Sequence, residues 1–336
     1  MPTTIKITAA NYNSLQDQIS AILTTSLAGS PQTGWGQSSN SDTHEPTAPQ
    51  TTLITAQQYE DLYIDVVRSR VHQIGAANFT IDDFVTGDYA TNTTDTDLVE
   101  HLYYTNLQSL ITTIETDKFV VHTSQVDEVA YAANQRTTGW KVKVVHEFSL
   151  TWTNAKHRRH YFNAGGLIRL YTDLAGNSTA KGTDWANALD YGTLNFSHDE
   201  TYTLDGANKT VSSSLGNYNG LTGSYQIILS RSPVAYTPNI YTVEVKEVSD
   251  SRLDFRITYD DVNNSALTPA DANDGFPDVD ELVTGTLTSQ IEAVKPWGTV
   301  TIDGTVYDTV KVNEPTYAVI TNLSSGTWHT LNFMLY

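Results

Sequence analysis

The stretch Trp140-Lys141-Val142-Lys143-Val144-Val145-His146-Glu147-Phe148-Ser149-Leu150-Thr151-Trp152 decides the fold. Trp140, Val142, Val144, His146, Phe148, Leu150 and Trp152 recur at every second position, with Lys141, Lys143, Glu147 and Thr151 between them. Side chains of an extended chain alternate between faces, so this pattern predicts a long strand with one buried face. Downstream, Tyr241 to Asp260 reads as a hairpin: Val243 and Val245 alternate with Glu244 and Lys246, a turn falls near Ser249-Asp250-Ser251, and Leu253, Phe255, Ile257 and Tyr259 alternate on the return. A second hairpin is predicted over Val300 to Val306, where Asp303-Gly304 suits a type I′ turn. Further strands are expected near Leu167 to Tyr171, Tyr225 to Leu229, Tyr317 to Ile320 and Leu331 to Leu335. At least eight strands fit a two-sheet antiparallel β-sandwich, of which the jelly roll is one form.

Upstream the period changes. Tyr12, Leu15, Ile19, Ile22 and Leu23 line one face of a helix. A second helix is predicted after Thr55-Ala56-Gln57-Gln58, a capping box, and is stopped by Gly75; it carries Tyr59, Leu62, Tyr63, Val66, Val67, Arg70 and Ile74. Leu62, Tyr63, Val66 and Val67 serve equally well as an interface or as intramolecular core. Leu98, Leu102, Leu107, Leu110, Ile111 and Ile114 predict a third helix. Between the first two helices, residues 27–52 hold Gly29, Pro31, Gly34, Gly36, Pro46 and Pro49, a pattern expected of an extended arm that reaches another subunit. The class is thus α+β, with a helical docking region over 1–136 and a sandwich over 137–336.

Composition narrows the function. Of 336 residues, 39% are hydrophobic and 17% charged, enough to bury a core, and the net charge is −19. Such a charge repels nucleic-acid phosphates and anionic lipid, and no strongly basic face offsets it. The longest basic cluster, Lys156-His157-Arg158-Arg159-His160, reads as a polar loop between strands, a solvated turn or an inter-subunit ion-pair patch. With no cysteine there is no disulfide, thiolate metal site or cysteine nucleophile. The first residues, Met1-Pro2-Thr3-Thr4-Ile5-Lys6, lack the basic and apolar stretches of a secretion signal, and no apolar run is long enough to span a bilayer, so synthesis in a cytoplasm is expected.

The segment richest in oxygen ligands is Asp271-Ala272-Asn273-Asp274-Gly275-Phe276-Pro277-Asp278-Val279-Asp280-Glu281. Asp271, Asn273, Asp274, Asp278 and Asp280 are weak calcium candidates, because Gly275 stands fifth from Asp271 where an EF-hand needs it sixth; an acidic surface loop is the plainer reading. His157 and His160 have the spacing of zinc ligands but carry two arginines between them and no third ligand in view. No Gly-x-Ser-x-Gly elbow, phosphate loop or His-Glu-x-x-His helix is present, so no catalytic residue and no cofactor is expected. The 19 tyrosines and 6 tryptophans suit a sandwich core, and also a surface that binds glycans.

Two runs carry a family likeness: Phe148-Ser149-Leu150-Thr151-Trp152-Thr153-Asn154 and Tyr161-Phe162-Asn163-Ala164-Gly165-Gly166-Leu167-Ile168-Arg169-Leu170. Asp280 to Ser289 adds to it, as do Tyr12 to Leu15, Gly34-Trp35-Gly36-Gln37-Ser38, Ile54 to Tyr59 and Arg70-Val71-His72-Gln73. Together they resemble virion structural proteins of tailed cyanobacterial phages. The resemblance implies a place in the particle's neck, tail, baseplate or fibre, with partners among other virion proteins and symmetric copies of itself, and no nucleic acid or membrane. It supplies no catalytic residues. A receptor- or polysaccharide-binding appendage tip facing host-surface glycan is the alternative. In the signature itself, Asn163, Gly165 and Gly166 read as a tight turn or bulge before the strand at Leu167.

Overall fold

The computed structural model describes residues 9–24, 34–40, 54, 56–79, 101–140, 142–236, 239–261 and 282–325. Five helices lie among them: α1 (Ala9–Leu23), α2 (Ala56–Ile74), α3 (His101–Thr116), α4 (Ala155–Asn163) and α5 (Ala180–Leu189). Thirteen strands accompany them: β1 (Val126–Ala130), β2 (Asn134–Arg136), β3 (Val142–Thr151), β4 (Leu167–Ala175), β5 (Thr193–Phe196), β6 (Thr201–Asp205), β7 (Asn208–Ser213), β8 (Gln226–Arg231), β9 (Ile240–Ser249), β10 (Arg252–Asp261), β11 (Thr286–Ile302), β12 (Thr305–Lys311) and β13 (Thr316–Thr321). One sheet runs β1-β11-β4-β5-β6-β7, with β2 and β12 also on β11; the other runs β13-β3-β10-β9-β8. The architecture is α+β and sandwich-like.

The chain forms two compact units, and they are not the consecutive stretches 1–136 and 137–336. A helical unit comprises the chain to Glu128, Ala155–Gly166 and Val294–Glu314; a sandwich unit comprises Val129–Asn154, Leu167–Ala293 and the chain from Pro315.

In the sandwich unit the alternation over 140–152 does what it predicts. Val144, His146, Phe148, Leu150 and Trp152 are buried, and β3 pairs with β10 from Val142↔Asp261 to Thr151↔Arg252. Phe148 stacks on Phe255 at 5.2 Å, and Phe255 meets Phe196 of the other sheet edge-on at 5.5 Å. Burial of such aromatic area is the main stabilising term of the unit. One cluster of buried hydroxyls is satisfied from within. Tyr191 and Tyr241 hydroxyls stand 2.9 Å apart, Thr172 Oγ1 lies 3.1 Å from Tyr241, and Tyr259 donates to Thr172 at 3.4 Å. Burial pushes these three phenols up, so they remain neutral and staple β4 to β9 and β10.

In the helical unit, Tyr12, Leu15, Ile19, Ile22 and Leu23 of α1 are buried as their spacing requires, with Leu107, Ile111 and Ile114 of α3. Gly75 stops α2 at φ 79°, its N–H donating to Val71 O at 2.7 Å. Ile64, Val67 and Val71 of α2 pack on Val300 and Ile302 of β11. The predicted hairpin is formed there: Asp303 and Gly304 adopt φ 47° and 78°, as a type I′ turn demands.

Two expectations are corrected and one open alternative is resolved. Leu62, Val66 and Val67 are core, with at most 1% exposure, and Tyr63 is half-buried, so the interface reading of this face gives way. The described part of the arm, residues 34–40, folds into its own helical unit, with Trp35 wholly buried. The Lys156 to His160 run is not a loop but most of α4, with Arg158 and His160 buried. Lysine and arginine are good helix formers, and Tyr161 and Phe162 give α4 an apolar side to bury. Leu98, the Thr55 cap, the remainder of the 27–52 arm and the strand at Leu331 to Leu335 lie outside the described residues.

Candidate functional site

The signature turn is the C-terminal cap of α4. Gly166 N–H donates to Tyr161 O at 2.9 Å and Gly165 N–H to Phe162 O at 3.1 Å, the bond pair of a Schellman motif. Gly165 takes φ 86°, and a Cβ there would stand 2.8 Å from Val121 Cγ1 and 2.9 Å from Phe119 O. Glycine is therefore required twice over, by the left-handed backbone and by the close neighbours.

The carbonyls freed at this helix end are taken up by two distant segments. Trp35 Nε1 donates to both Asn163 O, at 3.0 Å, and Lys118 O, at 2.8 Å. Asn163 Nδ2 returns a bond to Gly34 O at 2.9 Å, and His72 Nε2 donates to Ala164 O at 2.9 Å. The His72 ring lies 4.8 Å from the Trp35 ring. Gly36 seats against His160, where a Cβ would come within 2.3 Å of Nδ1. Three stretches quoted for the resemblance, 34–38, 70–73 and 161–166, thus converge on one buried knot. Helix-end carbonyls in a dry core need donors, and an indole, an imidazole and an amide supply them here.

The electrostatics of the knot are those of a neutral core. Burial holds the His72 imidazole down to about 3 against the single favourable bond to Ala164 O. His160 is held down to about 4, first by burial and then by His157, Lys156 and Arg159 on its own helix. Both rings are therefore uncharged at neutral pH, and their unpartnered nitrogens, His72 Nδ1 and His160 Nε2, face no counter-charge that would protonate them. His157 and His160 ring centres lie 6.4 Å apart. Among the described residues no group of three or more His, Asp or Glu side chains could hold a metal ion. Asp271, Asn273, Asp274, Asp278 and Asp280 lie outside the described residues.

Next to the knot, side chains seal the free edge of β12. Arg68 Nε and Nη2 donate to Asp308 O and Thr309 O, while Gln37 accepts from Lys311 N–H at 3.2 Å and donates to Lys311 O at 3.0 Å. Arg68 is itself held by Asp65 at 3.2 Å, and Asp65 accepts from Ser39 Oγ at 2.7 Å and Asn40 N–H at 3.0 Å. The 34–40 segment and α2 thereby stand in for a further strand. The sequence shows the stretches quoted for the resemblance but not their meeting; the signal within reach is Gly165, a helix stop two residues after Asn163.

Another quoted segment, of which residues 282–289 are described, leads into β11 in the sandwich unit. Gly285 there adopts φ 113° with a Cβ position only 2.6 Å from Ala175 O, and Thr284 Oγ1 accepts from Ser178 N–H at 3.1 Å.

The chain matches no protein-family model, no curated protein and no solved structure.

Proposed function

We propose that this chain is a structural component of a tailed-phage particle, part of the neck, tail or baseplate and fibre assembly, which acts through protein–protein contacts and not through chemistry. Its main support is the convergence of three of the stretches that carry the resemblance, 34–38, 70–73 and 161–166, on the Trp35 knot, where they are spent on fixing the fold. A likeness that falls in part on scaffold positions fits a part whose task is to hold a shape. The β-rich architecture and the charge of −19, which disfavours nucleic acid and anionic membrane as partners, agree with that role. Mass spectrometry of gradient-purified particles, with gold-labelled antibody to this chain, tests it. Stoichiometric peptides and a label at one fixed place support the reading; absence from the particle overturns it.

A glycan-binding tip is the second reading, favoured by Trp297. This ring is 42% exposed, with Lys295 Nζ 4.7 Å and Lys311 Nζ 5.0 Å from its centre. A glycan array that shows binding lost on Trp297→Ala would favour the tip over the scaffold.

A further inference from the structure

Two inward-facing rows of side chains meet in the sandwich unit. Along β10, Leu253, Phe255, Ile257 and Tyr259 are buried at every second position, and the next place in that row is taken by an acid, Asp261. Along α5, Lys181, Trp185 and Leu189 recur at four-residue spacing on the buried face. The end members of the two rows touch. Lys181 Nζ donates to Asp261 Oδ2 at 2.8 Å, with the two side chains 3% and 0% exposed. Asp184, the other buried acid of α5, is engaged elsewhere, accepting the N–H groups of Val234, Ala235 and Tyr236 at 3.1, 2.9 and 2.9 Å.

The surroundings are aromatic and dry. The Tyr236 ring centre lies 5.8 Å from Lys181 Nζ. Trp185 and Tyr259, the next members of the two rows, stand 6.4 Å apart, and Trp140 is 5.1 Å from the first and 6.2 Å from the second. Two charges taken out of water are costly to keep, even when paired. The Arg68–Asp65 pair is also buried, but a guanidinium is no nucleophile, whereas the amine of a lysine becomes one once it gives up a proton.

We infer that Lys181 and Asp261 condense to an intramolecular amide that ties α5 covalently to β10. One proton passes from the ammonium to the carboxylate, leaving an amine and a carboxylic acid. The nitrogen lone pair attacks Cγ, the C–N bond forms, the C–OH bond breaks, and the hydroxyl leaves as water with a proton from the nitrogen. In sum an ammonium and a carboxylate give one amide and one water, with no oxidant or co-reactant. Contact with Oδ2 places Cγ, one bond further, near the separation of about 3–3.5 Å from which such attacks start. Both partners are held by regular structure: Asp261 by the pairing of β10 with β3, Lys181 within the first turn of α5, which Thr179 caps. A closed site that releases the water and does not readmit it favours the amide over its hydrolysis. The chain has no cysteine, so the amide supplies the kind of tie that a disulfide gives other proteins, across residues 80 apart in sequence.

Electrospray mass spectrometry of the intact, denatured full chain tests the inference, with Lys181→Arg beside it, a variant that keeps the charge and loses the nucleophile. The expected result is a mass about 18 Da, one water, below that of the sequence for the unaltered chain, and the full mass for Lys181→Arg. Tryptic digestion should then yield a branched peptide that joins positions 181 and 261, with no cleavage after Lys181. That mapping decides the matter even where the arginine variant fails to fold. An unaltered chain at full mass holds an ion pair only, and overturns the inference. So does a lost water that maps elsewhere, such as a succinimide at Asp303-Gly304. Either result is independent of whether the chain belongs to a phage particle.

Discussion

At the scale of single residues, the knot makes contrasting demands on glycine and tryptophan. Gly165→Ala must accept both φ 86° and a Cβ within 3 Å of Val121 and Phe119, whereas Gly206→Ala meets φ 57° with no atom inside 4 Å. The first substitution should cost about 2–4 kcal/mol and the second about 1, measured by denaturant unfolding. Equal costs would mean that the cap is not held against its neighbours. Trp35→Phe keeps most of the buried ring but removes the donor shared by Lys118 O and Asn163 O, and should cost about 1–3 kcal/mol in the same assay.

At the scale of elements, α4 shows where sequence reading stops. The strand β3, the β9–β10 hairpin, the turn at Asp303-Gly304 and the apolar faces of α1, α2 and α3 were legible because each is written locally, as a period of two or of three to four, or as a turn dipeptide. α4 and α5 were not. Lys156 to His160 looked like a solvated run because nothing local reveals that Arg158 and His160 point inward, and Thr179, whose Oγ1 caps α5 by accepting from Gly182 N–H, sits in a stretch rich in such residues. The knot was legible only as separate stretches, since bonds such as Trp35 to Asn163 join residues 128 apart. The sealed edge of β12 is likewise non-local. Arg68→Met removes two donors to that strand and leaves the Asp65 carboxylate, 0% exposed, without its cation. It should cost about 3–5 kcal/mol and raise light scattering on storage as the bare edge pairs between molecules.

For the whole molecule, buried neutral histidines set the response to acid. His72 is held to about 3 and His160 to about 4 in the helical unit, and burial holds His146 to about 4 between Ser289 and Tyr317 in the sandwich. All three lie below the value of about 6.5 for an exposed imidazole, so the unfolded chain binds the protons first. The stability they secure is complete above about pH 6.5 and is lost as pH falls through about 4 for His146 and His160 and about 3 for His72. Chemical unfolding at pH 7 and pH 5 should show this decline, and His72→Gln should flatten the slope by about one proton; an unchanged slope would place the His72 ring in water. The division of the chain has a consequence for its synthesis. The helical unit takes its last piece from Val294–Glu314, and β11, which runs from Thr286 to Ile302, begins in one unit and ends in the other. A ribosome adding about 5–20 residues per second releases α1 and α2 well before their closing strands exist. α1, α2 and α3 can pack on one another as soon as they are made, but the face of α2 that carries Ile64, Val67 and Val71 stays uncovered until Val300 and Ile302 have been added.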